Sequence, residues 1–238
     1  MDSVVAAHLI ARAGGQDVIF TLATRDMNRL ALQSHLLGAQ LLGLQNVLVL
    51  QGDPLAGRDQ GVIKPVRDYS PTELIEAIAS LNQGRDFRGL KLKAPTVFCA
   101  GAVIDLSRDD VEAEARLAHR KVQAGAQFFI TQPFHDLDRP ERFHQTYHKL
   151  AHHVFPKPLF YGVQILMTDG LNFGNVPEGI QHDPQKGLQA VESATEQVGA
   201  LIRRGMTTIY LVPPILRFGR RDYQAAQEVV RNFRSPGG

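Results

Sequence analysis

Short apolar runs alternating with helical patterns point to a parallel α/β fold. Six runs read as strands buried on both faces: Val18–Ala23, Asn46–Leu50, Thr96–Ala100, Gln127–Thr131, Leu159–Gln164 and Thr208–Val212. The intervals carry apolar residues at helical spacing, and strand–helix–strand repetition requires right-handed crossovers between parallel neighbours. Two strands run straight into a polar side chain, in GLQNVLVLQGDP (Gly43–Pro54) and AGAQFFITQPFHD (Ala124–Asp136). Carboxyl ends of parallel strands are where ligands bind. Six runs fit an open doubly wound sheet or part of a (β/α) barrel, which needs eight, and periodicity does not choose between them.

In chain order, the first helix spans Ser3–Ala13 and stops at Gly14–Gly15. Asn28–Leu42 repeats its apolar positions at helical spacing between the first two strands. Ser70, Pro71 and Glu73 then make an N-cap, an N1 proline and the N3 partner of a capping box. The next helix starts after Ser107, carries Asp109 and Asp110 in its first turn and ends at Gly125. Further helices fall near Pro140–His153, Lys186–Arg204 and Asp222–Phe233. No repeat, linker or low-complexity tract interrupts the series, so one domain over residues 1–238 is expected.

Composition narrows the classes. Of 238 residues, 44% are hydrophobic and 21% charged, ordinary for a globular chain. A formal charge of +2 without a dense Lys/Arg run argues against nucleic acid as a partner. A single cysteine, Cys99, excludes an internal disulfide framework and reads as a buried small hydrophobe. No apolar stretch approaches the ~20 residues of a membrane span, and no signal-peptide pattern opens the chain. A cytoplasmic protein is expected.

The chemistry-bearing candidates stand mostly at strand ends. Asp53 follows LVLQG, and Gly52 removes a side chain where a ligand could approach the backbone; a plain Gly-Asp-Pro turn is the competing account. Gln132 follows FFIT, and its amide both donates and accepts, which suits a heterocycle or a loop anchor equally. Glu114, Arg116, His119, Arg120 and Lys121 share one helix, where a solvated face is the default and Arg120–Lys121 could instead reach phosphate or ribose oxygens. Arg217, beyond the last strand and Pro213–Pro214, could take a substrate carboxylate or a surface partner. His144, His148 and His152 recur every four residues, but no HExxH accompanies them and no metal is expected. His135–Asp136, after the same strand as Gln132, could cap a helix. GxGxxG, GxxxxGK[ST] and GxSxG are all absent.

These blocks resemble methylenetetrahydrofolate reductase. TRDMNRLALQSHLLGAQLLGLQNVLVLQGDP is similar to the family's stretch from its third barrel strand to the end of the fourth. EARLAHRKVQAGAQFFITQPFHD is similar to the fifth helix and sixth strand, and IYLVPPILRF to the last strand and its loop. The likeness spans nearly the whole chain and is strongest to the form fused to homocysteine methyltransferase domains. It implies a TIM-type (β/α)8 barrel that binds FAD without a Rossmann motif. The implied reaction reduces 5,10-methylenetetrahydrofolate to 5-methyltetrahydrofolate with NAD(P)H.

By position, Asp53 matches the family's acid near flavin and folate, Gln132 its folate-contacting amide and Arg217 a folate-contacting arginine. Thr21, Gln51, Gly52, Glu114, Arg120 and Lys121 match flavin-binding positions. The chain also departs from the pattern. The family's first two strands have no counterpart, so the barrel is expected to be incomplete, with its edges covered by a homo-oligomer or a partner chain. With them goes the first-strand glutamate, the family's general acid. Thr21 replaces a histidine, Leu117 a polar contact, and Gly101 stands where an aromatic is common. The segment after Gly162 (VQILMTDGLNFGN) also lacks the usual pattern. A non-catalytic folate- or flavin-binding subunit is the alternative from another class.

Overall fold

In a computed structural model, residues 2–14, 17–55, 57–167, 170–173 and 186–233 are described. Their elements run α1 (Ser3–Gly14), β1 (Ile19–Ala23), α2 (Arg29–Leu41), β2 (Asn46–Leu50), α3 (Pro71–Asn82), β3 (Cys99–Ile104) and α4 (Val111–Gln123). They continue with β4 (Phe128–Thr131), α5 (Arg139–Ala151), β5 (Leu159–Gln164), α6 (Lys186–Arg203), β6 (Ile209–Val212) and α7 (Tyr223–Arg231). The strands lie in sequential order, β1-β2-β3-β4-β5-β6. The register is parallel, from Ile19↔Asn46 to Ala23↔Leu50, Asn46↔Cys99 to Val49↔Ala102 and Tyr161↔Ile209 to Gln164↔Val212. An order without reversal has no topological switch point, so this is the connectivity of a (β/α) barrel wall and not of a doubly wound sheet.

Local chemistry sets the helix starts. Asn28 Oδ1 accepts from Ala31 N at 2.9 Å to cap α2. Ser70 and Glu73 close the expected capping box on α3, with Ser70 N donating to Glu73 Oε2 at 2.7 Å. Most boundaries move by one or two residues from the sequence reading, while those of α4 and β3 move further, β3 ending at Ile104 and not at Ala100. α4 starts at Val111 because Asp110 Oδ1 takes the Ala113 amide at 2.8 Å, while the Ser107 amide turns back to Asp105 Oδ1 at 3.0 Å. β3 starts at Cys99, three residues past Thr96, because side chains hold the lead-in. Asn82 Oδ1 accepts from Thr96 Oγ1 at 2.6 Å and Phe98 N at 2.9 Å, and Gln40 Oε1 accepts from Val97 N at 3.2 Å.

Two compact units divide the chain. Unit 1 comprises Met1–Val103 and Leu117–Phe129, and its core packs Phe20 edge-on to Phe98, with Leu22, Val47 and Val49 buried alongside. Leu32 and Leu36 of α2 and Leu74, Ile75 and Ile78 of α3 are buried too, as their helical spacing requires. Unit 2 comprises Ile104–Arg116 and Ile130–Gly238. Rings of Phe143, Tyr147 and Phe155 cluster there, with Tyr147 and Phe155 centroids 4.9 Å apart. Among the described residues, no helix is long and apolar enough to cross a membrane.

Candidate functional site

Beyond the regular ladder of β1 and β2, two more bonds carry the strands forward: Thr24 N to Leu50 O at 3.0 Å and Arg25 N to Gln51 O at 3.1 Å. A cleft of about 830 Å³ opens at this end of unit 1, lined by Arg25, Gln51, Gly52, Asp53, Arg67 and Tyr69 among others. Its size is that of a small-molecule or cofactor site (about 300–1,000 Å³). Gly52 turns the chain with φ +88, a conformation that favours glycine. Asp53 is exposed, and among the described residues its carboxylate makes no hydrogen bond or ion pair.

Charge around Asp53 comes from Arg25. Its Nη1 donates to the Asp53 carbonyl, while Nε and Nη2 bind the two Asp26 carboxylate oxygens at 2.6 and 3.1 Å. The Asp26 hydrogen bond raises the Arg25 pKa most; desolvation opposes it, and the charges of Asp26, Asp53 and Asp59 add to it. Behind the cleft-lining Tyr69 stands a cation: the Arg29 guanidinium lies 4.6 Å from the Tyr69 ring centre, held by bonds to the Asp68 carbonyl.

In unit 2, Gln132 stands at the end of β4, its amide N–H bonded to Ile104 O at 2.8 Å and its side chain exposed. Gly162 of β5 makes that placement possible. A Cβ there would lie 2.8 Å from Thr131 O and 3.0 Å from Pro133 N, and the Gly162 N–H bonds Thr131 Oγ1 at 2.7 Å. Buried Gln164 ends β5, donating to Leu171 O at 2.8 Å and accepting from Phe173 N at 2.7 Å. Leu171 N in turn bonds Ile215 O at 2.9 Å, beside the short turn Arg217–Gly219 in which Arg217 is exposed.

The α4 candidates divide. Buried Glu114 accepts from Asp105 N at 3.0 Å through Oε1, and its Oε2 lies 3.3 Å from Arg108 Nη1, paired in charge but outside hydrogen-bond geometry. Lys121 Nζ donates to Val103 O at 2.6 Å. Both side chains therefore brace the end of β3. Arg120 is exposed. Thr21 is exposed as well, and its carbonyl accepts from Ser3 Oγ at 2.7 Å.

A family model for methylenetetrahydrofolate reductase matches residues 1–169, a span that holds both strand-end motifs. The chain belongs to the methylenetetrahydrofolate reductase family. Arg217 lies outside the matched span. No curated protein matches the chain. Among solved structures it is similar to a protein from Clostridium thermocellum that binds two copies of 5-methyl-5,6,7,8-tetrahydrofolic acid, at 12% identity and TM-score 0.47, over 90% of this chain and 92% of that one. It is also similar to 2,3-dimethylmalate lyase of the PEP mutase/isocitrate lyase superfamily, at 12% identity and TM-score 0.41, over 98% and 67%.

Within this reductase-family chain, one departure has a structural counterpart. A Cβ on Gly101 would sit 2.2 Å from the Phe128 ring, so an aromatic from β4 fills the space there. The three histidines of α5 do not make a metal face. His144 is hydrogen-bonded to Tyr161 Oη at 2.8 Å, His148 is exposed, and His152 caps the helix in a left-handed conformation. Among the described residues, no group of three or more His, Cys, Asp or Glu could hold a metal. Arg25, Arg67 and Tyr69 are among the cleft residues that the sequence reading passed over. The signal for Arg25 was present in ATRD, a charged pair at a strand end like Asp53 itself.

Proposed function

We propose that the chain binds FAD and a reduced folate and reduces 5,10-methylenetetrahydrofolate to 5-methyltetrahydrofolate at the expense of NAD(P)H. The observation that carries this reading is the family match together with an uncommitted Asp53 carboxylate facing a cofactor-sized cleft. The cleft suits FAD: Gly52 bares backbone, Arg67 offers donors to phosphate oxygens, and Tyr69 offers an aromatic surface. Gln51, Gly52 and Asp53 would hold it there, with Thr21 and Arg120 as further flavin positions by family match. Glu114 and Lys121 would serve it through the β3 end they brace. Bound FAD would supply the two-electron relay between nicotinamide and folate.

Asp53 as an anion disfavours a second negative charge beside it and favours the cationic iminium form of the folate. Gln132 offers a donor and an acceptor to the pterin ring or to a nicotinamide amide. Arg217 offers a bidentate fork to a folate carboxylate. The likeness over the three sequence blocks also suggests kinship with the form fused to homocysteine methyltransferase.

An absorbance spectrum of the purified chain, repeated anaerobically after NADH and NADPH, tests the reading. Flavin bands that bleach and return on adding methylenetetrahydrofolate are expected. A colourless chain, or one that binds folate without bleaching, would replace it with the non-catalytic binding role.

A further inference from the structure

Asp53 is held by its backbone and, among the described residues, free at its carboxylate, an arrangement suited to a side chain that must meet a ligand. What does the holding is Arg25. Three of its nitrogens are used at once: Nη1 on the Asp53 carbonyl, Nε on Asp26 Oδ1 at 2.6 Å and Nη2 on Asp26 Oδ2 at 3.1 Å. The Asp26 fork fixes the guanidinium plane, and that plane then fixes the Asp53 peptide.

Its main chain is tied as well. Arg25 N donates to Gln51 O at 3.1 Å, and Arg25 O accepts from Val66 N at 2.7 Å, so the residue joins the ends of β1 and β2 to the segment that closes the cleft. Packing adds to this, because a Cβ on Gly52 would stand 3.3 Å from Arg25 Cβ and 3.4 Å from Arg25 Nε. A side chain at position 52 would therefore crowd the guanidinium.

We propose that Arg25, with Asp26 as its orienting partner, is a positioning residue that aims the Asp53 carboxylate into the cleft. Its bearing on the reaction rests on the functional reading above; the positioning itself does not. Lysine replaces only part of the fork, since a point-charge ammonium can keep one contact but cannot serve two carboxylate oxygens and a carbonyl in one plane.

Two measurements test it. In the FAD-loaded chain, R25Q slows folate-dependent flavin reoxidation by about 10- to 100-fold, the scale of a misaimed group, and R25K recovers part of that loss. The R25Q/D53N double variant is then no slower than D53N. Losses that multiply would show that Arg25 acts independently of Asp53 and would overturn the proposal. In the ligand-free chain, amide order parameters of Gly52 and Asp53 fall in R25Q from the rigid range near about 0.85 towards about 0.6 or below. Unchanged order parameters would overturn it whether or not flavin or folate binds. A wild-type chain that takes up neither ligand would sink the functional reading while leaving this second measurement decisive.

Discussion

The strand ends of unit 1 and those of unit 2 hold their candidate residues by opposite chemistry. At β1 and β2 the fastening is ionic and exposed: the Arg25–Asp26 fork on the Asp53 carbonyl, beside an open cleft. At β4 and β5 it is neutral and buried: Gly162 packed under Thr131–Pro133, and the Gln164 amide clamping Leu171 and Phe173. An exposed charge network leaves a carboxylate able to respond to a ligand, whereas a buried amide with both ends satisfied fixes a loop at low cost. On the function proposed above, removing charge at the unit 1 strand ends is expected to affect the reaction more than stability, and disturbing the unit 2 strand ends the reverse.

The largest expected effect is at Asp53. D53N should slow folate-dependent flavin reoxidation by about 100-fold or more, the range of a lost acid–base or charge function, and slow flavin reduction by NAD(P)H much less. Stopped-flow traces of the two half-reactions check this, and equal losses would erase the distinction between the units. Next is Gly162→Ala, which forces a methyl to within 2.8 Å of the Thr131 carbonyl. Denaturant unfolding should show a loss of about 3 kcal/mol, the upper range for overpacking.

Gln164→Leu should cost somewhat less, about 2 kcal/mol, because it leaves the Leu171 carbonyl and the Phe173 amide without their partner. Gln164→Glu, which keeps one of the two bonds at best, should not restore it. The smallest effect is on acid stability. Burial lowers the pKa of His144 and of His135, both in unit 2, so the folded state holds them neutral while the unfolded chain protonates near about 6.5. The unfolded state therefore binds more protons in the window between the lowered values and the ordinary one. Stability from these groups is full above that window and falls as pH drops through it. H144Q should flatten melting temperature against pH in that window, and an unchanged slope would remove His144 from the account.

Much of the fold was legible because its signals are local. The Ser70–Glu73 capping box, the Asn28 start and the Gly125 stop depend on residues within one turn of each other, and each stands where the sequence put it, while Gly15 of the first expected stop lies outside the described residues. The α4 start moved through local bonds of Asp105 and Asp110, but the β3 start was decided at a distance. β3 starts late because Asn82 and Gln40, from two different helices, capture residues 96–98, and no window of neighbouring residues contains that information. Asp53 and Gln132 were readable as strand-end residues, since apolar runs end visibly. Glu114 and Lys121 read as a solvated or ligand-facing helix, but both are buried and bonded to the end of β3.

The sequence by itself determined the order of strands and helices, the family and the polar residues at the strand ends, because periodicity, caps and motifs are written in consecutive residues. Only the tertiary structure decided that the strands follow one another without a reversal, that Phe128 fills the space over Gly101, and that Arg25 holds Asp53 from 28 residues away. Those depend on which side chains meet across strands, and a parallel sheet brings together residues that the chain keeps far apart.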